Sequence, residues 1–390
     1  MPPTQILLSA GEASGDMYAA RLAAELQKLA DANIFGMGGT QMRAAGVDVI
    51  TDYSEVNVLG ITEILSHLPQ LRRAMKNLVS AARSRKPSLA ILTDFPGFHL
   101  RLARKLKPLG VKNVYYICPQ FWAWRPWRAN LVRRRFALAL CIFPFEEKFF
   151  ADAGVPVKFI GHPLAGEVHA SLSRAEFEKK YDLDAQRKTV AILPGSRWGE
   201  IVRHLPTLLE SVREIDGQLS GACNFILALS AGTELAQVKA LIPANVRLTV
   251  VQGETYDALA AADAAIICSG TATVEAALLD VPMIVVYRVS RLTALLAKPL
   301  IRTKYFGMVN LIADREVAPE LIQENFQPQK IAAEIRKLLE PARAAQAHSD
   351  LAEVRRRLGP PGAVQRAAQA ILELIPAQAR RSGKASGNAS

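Results

Sequence analysis

Leu193-Pro194-Gly195-Ser196-Arg197-Trp198-Gly199-Glu200-Ile201 follows directly on the apolar run Thr189-Val-Ala-Ile-Leu193. The run reads as a buried strand of a parallel sheet. Pro194 and Gly195 break it, and Ser196 is placed to cap a helix starting just beyond. Strand, glycine turn and helix form the repeating unit of doubly wound α/β sheets. Fresh helix N–H groups beside Arg197 suit a diphosphate. A capped loop in which Arg197 pairs with Glu200 fits the same letters.

A second stretch repeats the pattern. Ala265-Ile-Ile-Cys268 runs into Ser269-Gly270-Thr271-Ala272-Thr273-Val274-Glu275, with a helix expected from Thr271 or Ala272. Gly270 lets an anion approach the backbone, and Thr271 and Thr273 offer hydroxyls to it. Glu275 is suited either to a ribose diol or to compensating the helix dipole. Two such turns in one half of the chain strengthen the phosphate reading. Further strands are expected near 224–228, 246–251 and 282–287, at the spacing of βα units.

The first half has the same rhythm. Gln5 to Ala10 is a strand, Gly11-Glu12-Ala-Ser14-Gly15-Asp16 a tight turn, and Tyr18 to Leu29 a helix. The turn is not GxGxxG, so no dinucleotide site is expected. Glu12 is expected to face the crevice above the sheet, with Ser14 or Asp16 capping the helix. Ser88 to Thr93 is another strand, and Asp94 stands at its carboxyl end, where such folds place catalytic groups. A general base and a structural partner for nearby arginines are both open to it; a neighbouring cation would weaken it as a base. Further strands follow at 33–36, 114–118, 136–143 and 157–160. His162, before Pro163, reads as a positioned loop residue rather than a catalyst.

Composition narrows the partners. The chain has 390 residues, 50% hydrophobic and 22% charged, as expected of a globular enzyme with two domains. No apolar run reaches the roughly eighteen residues of a spanning helix. The opening Met-Pro-Pro-Thr-Gln lacks a basic n-region and a cleavage site, so no secretory signal is expected. The four cysteines and six histidines show no metal-ligand spacing, and the cysteines read as buried thiols. The net charge of +12 is local: Arg72 to Arg135 holds sixteen Lys and Arg against one acid, Asp94, while the rest carries 32 basic and 35 acidic residues. An anionic partner is expected there, nucleic acid or a membrane leaflet, unless the face is simply solvated. Leu59 to Lys76 combines dense apolar residues with trailing basic ones, as in an interfacial helix or a core helix with a basic outer face. Trp122, Trp124 and Trp127 lie beside Arg125 and Arg128, a loop suited to stacking on bases, lining an acyl or sugar site, or meeting a membrane.

Taken in order, these stretches resemble the lipid-A-disaccharide synthase family. AGEASGD at 10–16, GMGG at 36–39, TDFPGFH at 93–99, FWAWR at 121–125, PFE at 144–146, IGHPL at 160–164, LPGSRWGEI at 193–201, SGTATVE at 269–275 and VNLIADREVAPELIQ at 309–323 carry the resemblance, which reaches about Leu374. It implies an α/β fold of two facing Rossmann-like domains with a cleft between them, of GT-B type. The expected boundaries are 1–165 for an acceptor- and membrane-facing domain, 166–345 for a UDP-sugar domain, 346–376 for a helix packing back on the first, and 377–390 for a disordered tail.

The resemblance also implies the reaction: an inverting, metal-independent transfer of 2,3-diacylglucosamine from UDP-2,3-diacylglucosamine to the 6-hydroxyl of 2,3-diacylglucosamine 1-phosphate. The products are the β-1,6 disaccharide 1-phosphate and UDP, with no cofactor. By position, Asp94 is then the general base with Glu12 near it. Gly195, Ser196, Arg197, Glu200, Gly270, Thr271 and Thr273 hold the donor's diphosphate, Glu275 its ribose, and Asn310 its sugar or phosphate. Acyl chains favour the interfacial reading, so Leu65, Leu68, Arg72, Arg73, Trp122, Trp124 and Arg125 are assigned to acceptor and membrane. Acidic lipid then explains the basic segment better than nucleic acid. A cytoplasmic enzyme on the inner face of the inner membrane is expected, with homo-oligomerisation left open. Two departures touch the site. Asp94-Phe-Pro-Gly97-Phe98-His99 stands where the family usually has Asp-x-Pro-Asp-Phe-Asn, and Cys118-Pro-Gln120 where Ser-Pro-Ser is usual. The alternatives are an enzyme like UDP-N-acetylglucosamine 2-epimerase and an inactive nucleotide-sugar- or membrane-binding homologue.

Overall fold

A computed structural model describes residues 3–56, 68–290, 293–294 and 303–375. The chain divides into two compact units, one built from residues up to Pro163 together with those from Pro360, the other from Leu164–Gly359. In the first unit β1 (Thr4–Ser9), β2 (Ala32–Gly38), β3 (Asp48–Asp52), β4 (Leu89–Thr93), β5 (Lys112–Tyr116), β6 (Leu138–Cys141) and β7 (Val157–Phe159) form one parallel sheet in the order β3-β2-β1-β4-β5-β6-β7. In the second, β8 (Lys188–Leu193), β9 (Cys223–Leu229), β10 (Thr249–Gln252), β11 (Ala264–Cys268), β12 (Met283–Tyr287) and β13 (Glu320–Ile322) run β10-β9-β8-β11-β12-β13. Both are doubly wound, as expected. Their central strands are covered on both faces: Ile6 to Leu8, Leu89 to Leu92 and Ala264 to Ile267 are wholly buried, which explains their unbroken apolar runs.

The strand orders reverse direction between β1 and β4, and between β8 and β11. At such a switch point the loops leave on opposite faces and open a crevice beyond the strand ends. Gly11 and Asp94 therefore sit at one crevice, and the turns beginning at Pro194 and Ser269 at the other.

Several local expectations change. The helix after β8, Trp198–Gln218, takes Arg197 rather than Ser196 as its N-cap residue. Neither Ser14 nor Asp16 caps α1 (Ala13–Leu29); Asp16 instead accepts the backbone N–H groups of Gly39 at 2.6 Å and Gln41 at 2.9 Å, fixing the start of α2 (Thr40–Ala44). Leu65 and the start of the expected interfacial helix lie outside the described residues. From Leu68 onward α3 (Leu68–Arg85) buries Ala74, Leu78 and Ala82 in the unit's core and leaves Arg72 and Arg73 exposed, the pattern of a core helix with a basic outer face. The helix expected over 351–374 is two, Pro341–Arg357 and Ala363–Leu372, because Gly359-Pro360-Pro361-Gly362 cannot continue it. The second of these returns the chain to the first unit and packs on α1, with Ala363, Ala367 and Ile371 among its buried residues. Arg366 Nε donates to the Ile160 carbonyl at 2.8 Å, and Lys112 Nζ to that of Leu374 at 2.8 Å. The expected tail at 377–390 lies outside the described residues.

Candidate active site

In the first unit the chain turns sharply out of β4. Asp94 and Phe95 both take left-handed backbone angles, φ 52° and 34°, which non-glycine residues adopt only when their surroundings force them. The surroundings do. His99, wholly buried on α4 (Pro96–Leu106), donates from Nδ1 to the Asp94 carbonyl at 3.1 Å, and the Tyr115 hydroxyl donates to it at 3.3 Å. The other ring nitrogen, Nε2, then accepts from Ser9 Oγ at 2.8 Å. Burial pushes His99 down to about 4, so the ring is neutral and makes no ion pair with Asp94. His99 is thus committed to holding the loop that carries Asp94. A Cβ at position 97 would meet nothing within 4 Å, so the glycine there is not required by packing.

The Asp94 carboxylate lies against the start of α1. Gly11 N–H donates to Oδ1 at 2.8 Å, while Oδ2 is enclosed and has no hydrogen-bond partner among the described residues. The side chain keeps 17% of its exposure. Burial, above all, holds its pKa well above the usual carboxylate range; the N–H bonds oppose this, and the Glu12 and Asp16 charges add to it. None of the arginines of the segment pairs with it. Of the two open roles, structural partner for arginines is therefore not what the contacts show. Glu12 is exposed beside it at the N-cap position of α1 and makes no capping bond.

The tryptophan loop divides. Trp122 is half-buried and donates from Nε1 to Glu146 Oε1 at 3.0 Å, packing edge-on against Phe145. A substrate or lipid role was expected of it; the structure shows its N–H anchored, because burying an indole N–H requires a partner. Glu146 is wholly buried, and its other oxygen accepts the N–H groups of Ile142 and Phe143. Burial raises its pKa to about 7. Trp124 and Trp127 remain 41% and 59% exposed, with the Arg125 guanidinium 4.2 Å above the Trp124 ring and that of Arg128 5.5 Å above Trp127.

In the second unit Gly195, Ser196, Arg197, Glu200, Gly270, Thr271 and Glu275 line one cavity of about 670 Å³. Its geometry includes the bland reading of the opening stretch: Glu200 Oε2 accepts the N–H groups of Ser196 and Arg197, each at 3.3 Å, and Oε1 lies 3.5 Å from Arg197 Nη1. Arg197 is nonetheless 81% exposed and lines the cavity. Gly195, at φ 119°, permits this approach; a Cβ there would lie 2.8 Å from Glu200. Glu275 accepts from the Tyr256 hydroxyl at 3.1 Å, and burial raises its pKa.

Two expected ligand residues point elsewhere. Thr273 is buried and donates to the Gly270 carbonyl at 2.9 Å, its hydroxyl spent on the helix start. Asn310 is wholly buried, accepts from Val317 and Ala318 N–H, and donates to Ala318 O and Glu320 Oε1, stapling its loop rather than facing the cavity. One residue was missed altogether. His204, buried on the Trp198–Gln218 helix, donates from Nδ1 to Pro194 O at 2.9 Å and accepts from Arg288 N–H at 3.1 Å, tying the end of β8 to that of β12. Its only sequence signal is that it lies seven residues past Arg197, two turns along the same helix face.

Among the described residues no three His, Cys, Asp or Glu side chains gather as a metal site, and no helix is long and apolar enough to cross a membrane. All four cysteines are free and buried.

Solved structures share this fold. The UDP-GlcNAc 2-epimerase from Neisseria meningitidis bound to UDP-GlcNAc is similar at TM-score 0.63 and 12% identity, over 95% of this chain and 100% of that one. The Anabaena HepE protein in complex with UDP-glucose is similar at 0.58 and 14%, over 95% and 100%. The class so defined is the GT-B-like α/β fold of two Rossmann-like units, here with a carboxylate at one switch point and an arginine-lined cavity at the other. Within that class, the profile of the Lipid-A-disaccharide synthetase family matches residues 6–374. Curated relatives named Lipid-A-disaccharide synthase include that of Solibacter usitatus (strain Ellin6076), 46% identical over 96% of this chain and 98% of its own length, and that of Myxococcus xanthus (strain DK1622), 40% identical over the same shares. The chain belongs to the lipid-A-disaccharide synthase family, glycosyltransferases of lipid A biosynthesis.

Proposed function

We propose that the chain transfers 2,3-diacylglucosamine from UDP-2,3-diacylglucosamine to the 6-hydroxyl of 2,3-diacylglucosamine 1-phosphate, releasing UDP, by a single inverting displacement. Asp94 accepts the hydroxyl proton as the oxygen attacks the anomeric carbon from the side opposite UDP, giving the β-1,6 bond. The observation that carries this reading is the Asp94 carboxylate itself: at a switch point, partly exposed, free of cations and held by the loop in a forced backbone conformation. A raised pKa makes a stronger base, and one enclosed oxygen without a partner keeps proton affinity high. Glu12 stands at the same crevice and sustains that affinity by its charge.

On the donor side Arg197 and the turn of Gly195, Ser196, Gly270 and Thr271 meet the diphosphate, and Glu275 the ribose. Glu200 then acts as a placeholder that releases the loop N–H groups to phosphate. Arg197 supplies the positive charge that offsets charge growing on the departing UDP, so no metal is required. Trp124 and Arg125, with Leu68, Arg72 and Arg73, meet the cytoplasmic membrane surface, where acylated substrates reside.

The test is to incubate the protein with both acylated sugars in the presence of a chelator and follow UDP and disaccharide together. Both should form in equal amounts, and Asp94→Ala should lose about 10²–10⁴-fold in rate. Because the base must be ionised, kcat/KM should climb about tenfold per pH unit to a break well above the ordinary carboxylate value of about 3.9. UDP-sugar conversion without acceptor would favour an epimerase, and undiminished activity of Asp94→Ala would remove the base assignment.

A further inference from the structure

Ile117, the residue after β5, takes a left-handed backbone angle, φ 58°. Among the described residues it is the one β-branched side chain that does so. Two substituents on Cβ make that angle costly, so it persists only where the surroundings over-determine it.

The place is beside the base. Thr93 pairs with Tyr116 across β4 and β5, so the next residue of each strand, Asp94 and Ile117, leave the sheet side by side. They are about one interstrand spacing apart, ~5 Å. Both are left-handed, at φ 52° and 58°. The chain is anchored on either side of Ile117. Tyr115, wholly buried and stacked on Phe136 with ring centroids 4.7 Å apart, donates its hydroxyl to the Asp94 carbonyl. Cys118, also buried, donates its N–H to the Leu140 carbonyl at 3.2 Å.

The turn itself does not ask for isoleucine, since Gly or Asn takes the same angle at less cost. The side chain is half-buried at the carboxyl end of the sheet. What isoleucine adds there is an apolar surface one strand from a carboxylate. The titratable groups facing Asp94 are Glu12 and Asp16 of the first turn, His99 of α4 and Tyr115 of β5. None of them is a cation, since His99 is neutral. Water is then the main competitor for the charge of Asp94, and an apolar neighbour excludes it.

We propose that Ile117 is a positioning residue for the transfer: its forced turn holds an apolar wall that closes the β5 side of Asp94 to water. This rests on Asp94 as the base and extends that reading to the neighbouring strand.

The experiment compares the full chain with Ile117→Asn and Ile117→Val. Melting temperature, kcat and KM across pH, and the carboxyl titration of Asp94 by carbon NMR are measured, Asp94→Asn identifying the signal. Asn suits the left-handed angle and brings a polar group. Ile117→Asn should melt at or above the parent temperature, yet lose about tenfold in kcat with KM within about twofold. Water admitted to Asp94 lowers its pKa. The titration and the break in kcat/KM should therefore both move down by about half a pH unit or more. Ile117→Val keeps the wall and should hold both near the parent values. A lower melting temperature with unchanged kcat would make Ile117 a packing residue and overturn the proposal. A fall in kcat with neither titration nor break moved would place it on substrate, and overturns the proposal too. A shifted Asp94 titration with an unmoved activity profile would leave the wall standing and remove Asp94 as the base instead.

Discussion

Gly15 carries no side chain because Asp94 occupies the space one would fill. A Cβ at this position would lie 1.6 Å from Asp94 Oδ2, and one at Gly11 would lie 2.6 Å from Phe95 Cβ. One glycine of the first turn is therefore required by a carboxylate, and the other by the phenylalanine beside it, some eighty residues on. Gly15→Ala gains about 1 kcal/mol of helix propensity and loses about 1–3 kcal/mol to overpacking. It should displace the base by enough to lower kcat about a hundredfold with both substrates saturating. A variant with normal kcat would show that Asp94 need not sit where it does. The sequence marked Asp94 by its place after a strand. It could not mark Gly15 as its counterpart, since nothing local relates them.

At the scale of elements, loops are held by buried polar groups whose partners are distant in the chain. Glu146 caps Pro144–Asp152 and holds Trp122, so the tryptophan loop depends on one carboxylate. Its pKa is raised in the folded chain, from 4.5 to about 7. The folded state thus binds this proton more tightly than the unfolded state does. The resulting stability is full below pH 4.5 and is lost as pH rises through about 7. Glu146→Gln cannot ionise. The melting-temperature difference, variant minus wild type, should therefore climb between pH 4.5 and 7 and then level off. A difference independent of pH would mean that Glu146 does not titrate in this window. The edge strands β3 and β13 belong to the same scale: Asp48 to Asp52 and Glu320 to Ile322 are short and partly polar, and only pairing to β2 and β12 makes them strands. Thr273 looks like a ligand in sequence because its hydroxyl follows a glycine turn, and Asn310 because the family resemblance implies it. Their hydrogen bonds show them to be staples.

Across the whole molecule, the first unit is completed by the far end of the chain. Ile371, wholly buried, sits on the helix that packs on α1, and α1 carries the turn beneath Asp94. Ile371→Ala should cost about 2–5 kcal/mol of the first unit's stability and leave the second unaffected. Hydrogen exchange resolved by segment should show faster exchange in α1 and β1 and unchanged protection in β8 and β11. Uniform acceleration in both units would show that they unfold as one.

Strand-glycine-helix order, the unbroken apolar runs and the run of motifs were legible from the chain because they are local patterns, and they determined the doubly wound class and the family. The placement of Gly195, Arg197, Gly270 and Glu275 at strand-end turns was legible too, since turn chemistry fixes what a strand end can present. What Glu200 does at that turn, which threonine spends its hydroxyl on the helix start, and why His99 serves the Asp94 loop were decided only in three dimensions. Each depends on contacts between segments far apart in sequence, where burial sets the strength of a charge and the choice of hydrogen-bond partner. The groove of about 1050 Å³ between α3, α4 and the helix Ala129–Arg135 is the largest instance. Its basic residues were visible as a charge excess, but only the packing of α3, α4 and a third helix put them around one apolar floor with no acidic side chain among the described residues that line it.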